Sequence, residues 1–127
     1  MNAMLQTTSK AAAAKAIAAE ARWHDDEELR WAVRHWATRI GVRTPNIHLR
    51  RMTHKWASIS TAGRLTLDSG LLNIPKPLGE FVIVHELLHL IAPNHGKVFK
   101  SFLLAYLPDW EEREQHLRHI SLRQPHI

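Results

Sequence analysis

Residues 81–95 read FVIVHELLHLIAPNH, and the interpretation of the whole chain begins with this stretch. Between Phe81 and Ala92 only three side chains are polar, namely those of His85, Glu86 and His89. A helix that is apolar nearly all round is expected to be buried. Buried imidazoles and a buried carboxylate need polar partners, and one cation with a water molecule satisfies all three together.

The spacing of these polar residues is that of a metal site. Each residue of a helix advances by about 100°, so His85 and His89 stand about 40° apart and can offer imidazole nitrogens to one ion, with Glu86 beside it. In a chain with 10 histidines, chance alone places this motif with a third histidine at one fixed offset about 0.004 times. The alternative, ordinary core histidines, is therefore disfavoured.

The segment after this helix predicts the third ligand. Pro93 has no backbone donor and disfavours helix at Ala92, and Asn94 tolerates the left-handed conformation, so the chain can turn and return His95 to the ion. Three protein ligands leave the open position of a catalytic zinc, where bound water is acidified and becomes the nucleophile. The alternative third ligand is a carboxylate from the last predicted helix: Glu111, Glu112 or Glu114.

Length and composition predict one domain. The 127 residues contain no cysteine, which excludes disulfides and zinc ligation by thiolate. No apolar run approaches the roughly 18 residues needed to cross a membrane, so we expect a cytoplasmic protein without a membrane partner. We divide the chain into an Ala-rich N-terminal segment (1–24) with a peripheral helix at 9–21, a domain (25–120) and a tail (121–127). The oligomeric state stays open.

Periodicity predicts an α+β, zincin-like fold, in which a small, mainly antiparallel sheet packs on the HExxH helix and further helices. Period-two alternation after Pro45 indicates a strand at Ile47 and Leu49. The segments Trp56–Thr61 and Arg64–Asp68 flank Ala62-Gly63 and predict a hairpin. Helices are predicted at 26–40, 76–91, 97–107 and 109–119.

Two of these helices have informative details. Helix 97–107 carries an apolar stripe that predicts a second core helix, halted by Pro108; its members are Val98, Phe99, Phe102, Leu103, Tyr106 and Leu107. In the last helix, Glu114 and Arg118 have the spacing of an ion pair.

The positive charge is concentrated in one segment. The formal net charge is +5, and no acid occurs between residues 39 and 64. The cations of that segment are Arg39, Arg43, Arg50, Arg51, Lys55 and Arg64. An acid-free basic segment can neutralise phosphates, so a nucleic-acid-binding module is the alternative from another functional class, and DNA association is a predicted property.

The ordering of several segments resembles the YgjP-like metal-dependent hydrolases, which are relatives of the SprT-like zincin proteases. The similar part covers about Leu29 to Arg118, and its most specific segments are RRMTHKWASIS, FVIVHELLHL, PNHGKVF and LPDWEE. The resemblance implies a zincin-type fold in which His85, His89 and His95 match the metal ligands and Glu86 matches the catalytic base. SprT-like proteases act on proteins attached to DNA, so it also suggests a DNA-linked substrate.

The chain departs from this family at two motifs. The family usually has Trp-Gly-Ser-Cys where this chain has Trp56-Ala57-Ser58-Ile59, and Pro-Asp-Tyr where this chain has Pro108-Asp109-Trp110. The turn Ala92-Pro93-Asn94 contains no glycine, which distinguishes the chain from the metzincins despite the shared ligand spacing.

We therefore predict a zinc-dependent metallopeptidase of the HExxHxxxxxH type. Glu86 would take a proton from zinc-bound water and return it to the leaving amine of a peptide or protein substrate. The hairpin Trp56–Asp68 is the expected site of substrate strand addition. His54, Arg51 and Tyr106 have the chemistry of oxyanion donors, but the sequence does not place them. A metal-binding scaffold without turnover is a third alternative.

Overall fold

The α+β class is confirmed by a computed structural model, which describes residues 21–121. In chain order the elements are α1 (Asp26–Ile40), β1 (Asn46–Arg50), β2 (Ala57–Ile59), β3 (Arg64–Asp68), a 3-10 helix (Ser69–Asn73), α2 (Lys76–Leu88), α3 (Lys97–Tyr106) and α4 (Trp110–Ser121). None of the described helices is long and apolar enough to cross a membrane. The predicted helix at 9–21 and residues 122–127 of the predicted tail lie outside the described residues, apart from Ala21.

Helix α1 begins and ends where its capping residues predict. The Asp25 side chain accepts a hydrogen bond from the Glu28 backbone N–H at 2.9 Å, and Gly41 ends the helix with a φ of 88°. That left-handed conformation strains residues with a Cβ atom, which explains the glycine at this position. The helix packs on the rest of the domain through one buried stripe that includes Leu29, Val33 and Trp36.

The sheet is small and mixed, with the strand order β1-β3-β2. β2 and β3 form the predicted antiparallel hairpin, and its turn contains Gly63 with a φ of 90°. β1 pairs with β3 in parallel, from Asn46 opposite Arg64 to Arg50 opposite Asp68. The expectation of a mainly antiparallel sheet is therefore corrected. Alternation of apolar residues indicates which face of a strand is buried, but it does not indicate the partner or the direction of pairing.

Helix α2 is the centre of the domain. It contacts α1, α3, α4 and β2, and its apolar residues are buried as predicted, including Phe81, Ile83 and Leu88. The helix also lies close to the chain that precedes α1: a Cβ atom added at Gly79 would lie 2.2 Å from the Trp23 ring. Glycine at residue 79 thus permits the aromatic ring to pack directly on the helix backbone.

Helix α3 uses only part of its predicted stripe. Phe99 and Leu103 are buried, as is Leu107 just after the helix. Val98 and Phe102 are 62% and 37% exposed. The expectation that all of these residues lie in the core is wrong, because α3 packs through one narrow face.

Helix α4 is fastened to the first turns of α2 by one arginine. Arg113 Nη1 donates to the Pro77 carbonyl oxygen at 3.0 Å and to Glu80 Oε1 at 3.4 Å. Arg113 Nε donates to Asp109 Oδ1 at 2.9 Å. Together with the fully buried Leu117, these bonds fix α4 beside the face of α2 that carries His85.

Candidate active site

The three predicted histidines converge. One ring nitrogen from each of His85, His89 and His95 lies within 4.8 Å of the others. The Nε2 atoms of His89 and His95 are 3.0 Å apart. The ring centroid of His85 lies 4.9 Å from the centroids of both other histidines. The side chains of His85, His89 and His95 therefore lie together, as their spacing in residues 85–95 predicts, and their role as metal ligands stays a prediction.

The end of α2 produces this convergence. Regular helix stops at Leu88, three residues before the predicted end, and the next turn is tightened by a bond from the His89 N–H to the Glu86 carbonyl at 3.1 Å. The Ala92 N–H donates to the Leu88 carbonyl at 2.8 Å. The chain then leaves the helix at Pro93, and His95 returns to the two histidines of α2.

A hydrogen bond fixes the protonation pattern of His89. Its Nδ1 lies 3.2 Å from the Pro93 carbonyl oxygen. A carbonyl oxygen can only accept, so Nδ1 carries the proton and Nε2 keeps its lone pair. A carbonyl that holds the far nitrogen of a ligating histidine is a common supporting contact in metal sites. His89 therefore presents Nε2 toward the other histidines in the form that binds a metal.

Phe99 forms the apolar backing of the cluster. Its ring centroid lies 5.2, 4.9 and 4.9 Å from the centroids of His85, His89 and His95. Burial lowers the pKa of His89, and the neighbouring His85 and His95 lower it further, while Glu86 and the bond to Pro93 act in the opposite direction. Because the net shift is downward, neutral imidazole is favoured at residue 89, and neutral imidazole is what a metal requires.

Glu86 is held beside the cluster. Its Oε2 lies 3.0 Å from His85 Nδ1, and its side chain is 14% exposed. The carboxylate therefore has one fixed neighbour and limited contact with water.

The donor set fits a zinc ion. Three nitrogens around a tetrahedral zinc at about 2.0–2.1 Å lie roughly 3.3 Å from one another. The observed 3.0 Å between two of the ring nitrogens, and the limit of 4.8 Å for the whole set, bracket that value. Imidazole nitrogen is also a preferred zinc ligand.

A cavity of about 460 Å³ opens beside the cluster, between α2, α3, α4 and β2. His85, Glu86 and His95 lie in its wall together with Trp56 and Ala57. Its remaining apolar lining consists of Phe81, Val82, Phe99, Leu103, Trp110 and Leu117. A cavity of this size, with a few polar groups at one end, falls in the range of small-ligand and substrate pockets.

Comparison with known proteins identifies the family. The family described as YgjP-like, metallopeptidase domain matches residues 2–120. The chain belongs to the YgjP-like metallopeptidase family. The resemblance inferred from the sequence motifs is therefore confirmed, and a metal-dependent peptidase is the activity that the family supports.

Solved structures place this YgjP-like domain among known metallopeptidase folds. It is similar to the metallopeptidase zymogen abylysin of Pyrococcus abyssi, with a TM-score of 0.66, 23% identity, and coverage of 78% of this chain and 99% of that chain. It is also similar to the metallopeptidase zymogen jannalysin of Methanocaldococcus jannaschii, with a TM-score of 0.66, 26% identity, and coverage of 72% and 94%. No protein with a curated description matches the chain.

The structure also shows where the alternative third ligands, the carboxylates of α4, lie relative to the histidines. Within residues 21–121, the metal-ligand cluster contains only histidines. Glu114 lies in the cavity wall but pairs with Arg118 at 3.6 Å, as its spacing predicts. The described part of the chain therefore gives no support to a third ligand from α4: Glu111, Glu112 or Glu114.

The suggested oxyanion donors are not brought to the cavity. His54, Arg51 and Tyr106 are all described and none of them lines it. The Tyr106 ring instead packs edge-on against Trp36, with centroids 6.3 Å apart. Sequence reasoning also missed Lys100 and the contribution of α4 to the wall. The sequence offered one weak signal for these parts of the wall. Ala57 and Trp110, at which the chain departs from the family motifs, both line the cavity.

Proposed function

We propose that the protein is a zinc-dependent peptidase of the HExxHxxxxxH type, in which His85, His89 and His95 hold the ion and Glu86 is the general base. One observation carries the proposal: three imidazole nitrogens converge beside a mostly buried carboxylate at the end of an apolar cavity. Family membership supports the peptidase class.

The histidines supply a preorganised set of imidazole ligands. His89 is held by the Pro93 carbonyl, and Phe99 restricts the rings from the opposite side. A bound zinc ion would supply Lewis acidity, which makes a water molecule more acidic and polarises the scissile carbonyl. Positioned ligands reduce the reorganisation that metal binding and reaction would otherwise require.

Glu86 moves the proton. His85 Nδ1–H donates a hydrogen bond to Glu86 Oε2 over 3.0 Å and keeps its proton, so the carboxylate stays charged and its Oε1 is left to accept a proton from the attacking water. The protonated carboxyl then returns that proton to the leaving amine as the peptide C–N bond breaks. His85 is thus both a ligand and the group that orients the base.

The sheet offers a place for the substrate backbone. Within residues 21–121, β2 is an edge strand with β3 as its one strand partner, and Ala57 of β2 lines the cavity. An extended peptide can add to such an edge through main-chain hydrogen bonds. In this arrangement the peptide backbone runs past Glu86 while a side chain enters the cavity.

Metal-dependent cleavage of a mixed peptide library tests this proposal. Protein stripped with a chelator should cleave nothing, and addition of one equivalent of zinc should restore defined cleavage products in mass spectrometry. Calcium and magnesium should fail, because they prefer oxygen ligands over imidazole. Zinc binding with no cleavage of any peptide would instead support the scaffold without turnover.

A further inference from the structure

The cavity beside Glu86 has a composition that selects among substrates. We propose that it binds a large apolar side chain, aromatic or leucine-like, of the residue next to the scissile bond, and that Trp110 determines this preference. The inference rests on the proposed peptidase function and adds the substrate class.

The floor of the cavity is apolar and immobilised by the core. Phe81, Phe99, Leu103 and Leu117 are each almost fully buried, and each also faces the cavity. Such a surface gains free energy when an apolar group displaces water from it. Four buried side chains from three helices also give the cavity a fixed shape, so a complementary side chain enters without reorganisation.

The charges of the wall do not favour a charged side chain inside. Glu114 is paired with Arg118 at 3.6 Å, and the Arg118 side chain is 68% exposed. Lys100 is exposed at the rim, and Glu86 is committed to the catalytic cluster. A substrate carboxylate or ammonium placed on the apolar floor would lose its hydration without a buried partner of opposite charge. The wall therefore discriminates by apolar area rather than by charge pairing.

The wall contains two indoles, those of Trp56 and Trp110, and Trp56 is 2% exposed. Trp110 is the one that α4 contributes. It is the first residue of α4, and its backbone N–H donates to the Leu107 carbonyl at 3.0 Å. The helix is held to α2 by Arg113 three residues later. The indole is therefore a rigid surface against which a substrate ring or isobutyl group can pack.

Matched peptides that differ at one residue beside the scissile bond test the preference. We expect kcat/KM for phenylalanine or leucine to exceed that for alanine by about tenfold or more, since each added methylene in a fitted apolar pocket gives roughly 10- to 200-fold. Glutamate and lysine at the same position should be poorer than alanine. Equal rates for all five peptides would overturn the proposal.

The variant Trp110→Ala assigns the preference to its residue. It should lower kcat/KM for the phenylalanine peptide by about 10- to 100-fold, with little change for the alanine peptide. Trp110→Phe should restore most of the difference. The matched control is Trp31→Ala, because Trp31 is 61% exposed on α1, stacks on His35 and does not line the cavity. An equal loss for both peptides in Trp110→Ala would show a structural role and contradict the assignment.

Peptide-binding measurements test the preference of the cavity independently of catalysis. Zinc-loaded Glu86→Gln protein, titrated calorimetrically with the same peptides, reports the cavity without turnover. Tighter binding of the phenylalanine peptide, lost in the double variant with Trp110→Ala, supports the cavity even if no peptide is cleaved. If the native protein cleaves peptides but the phenylalanine and alanine peptides do not differ in binding or rate, the peptidase function stands and the proposed preference of the cavity is refuted.

Discussion

The histidine segment (residues 85–95) and helix α4 meet at the same cavity, but they reach it in different ways. In the segment, the helical period and the turn at Pro93 bring all three histidines together within one continuous stretch of chain. Helix α4 is placed by long-range contacts, such as that from Arg113 to the Pro77 carbonyl, which joins residues 36 positions apart. The reacting groups are thus set locally, whereas the shape that receives a substrate depends on the tertiary fold.

The largest expected effect is the loss of peptide cleavage when the general base of the histidine segment is replaced and α4 is left unchanged. Glu86→Gln should retain zinc and the fold, because residue 86 is outside the histidine cluster, yet lower kcat by about 10²- to 10⁴-fold, since an amide cannot accept the proton of the attacking water. Single-turnover peptide cleavage and metal content, measured on the same preparation, check this.

The control for this variant is Glu111→Gln, an exposed carboxylate on α4 that does not line the cavity. It should retain the native rate. Cleavage by Glu86→Gln at a near-native rate would remove Glu86 from its role as base and leave the histidine cluster to be explained separately.

A smaller effect, on stability and on substrate preference, is expected when α4 loses its anchoring contacts with α2 and the histidine segment is left unchanged. Arg113→Ala removes the donor to the Pro77 carbonyl and one partner of Glu80, which keeps its bond from Trp36 Nε1 at 3.2 Å, so the free energy of unfolding should fall by about 1–3 kcal/mol. Arg34→Ala, which breaks the exposed pair with Glu27, should lose only about 0–1 kcal/mol. Chemical denaturation measures both.

Zinc content should be the same in these two arginine variants, because neither residue contacts the histidines. The preference for large apolar side chains should weaken only in Arg113→Ala. A loss of zinc in Arg113→Ala would show that the two regions are not independent and would break the comparison.

The smallest effect on cleavage is expected from a third region, the basic segment. Its six cations are exposed, form no ion pair within residues 21–121, and do not line the cavity. β1, which ends at Arg50, lies at the edge of the sheet opposite β2. The segment itself reaches the cavity at Trp56 and Ala57, but its cations lie outside the lining.

DNA association through these residues stays a prediction. Labelled duplex DNA should bind at low salt, with log affinity falling by about 0.9 per neutralised phosphate against log salt. Arg50→Ala with Arg51→Ala should reduce the binding and its salt dependence while peptide cleavage is unchanged. Absence of binding at low salt would leave the segment as a solvated surface.

The difference between the first two regions also explains what the sequence predicts. His85, His89 and His95 follow from helical spacing and one proline, and the β2–β3 turn follows from Ala62-Gly63. The parallel pairing of β1 with β3 does not follow, because alternation encodes a buried face and not a partner. Likewise, the stripe on α3 does not reveal that Val98 and Phe102 face solvent, since the number of neighbours around a helix is a tertiary property.

The cavity wall shows most clearly that features set by the tertiary fold cannot be predicted from sequence patterns. Trp110 and Leu117 belong to a helix whose sequence is mostly polar. The bonds of Arg113 to α2 and the burial of Leu117 bring them into the same wall as Phe81. Conversely, the carboxylates of α4 have suitable chemistry for a metal but not the position. Residue type thus suggests candidate ligands, and local geometry favours the three histidines.

Anomalous diffraction at the zinc edge, from crystals of protein prepared without chelator, tests the central claim most directly. We expect one zinc per chain with three imidazole nitrogens from His85, His89 and His95 at about 2.0–2.1 Å, and Glu86 outside the ligand set. A carboxylate of α4 in place of His95, or no ion at these histidines, would contradict it.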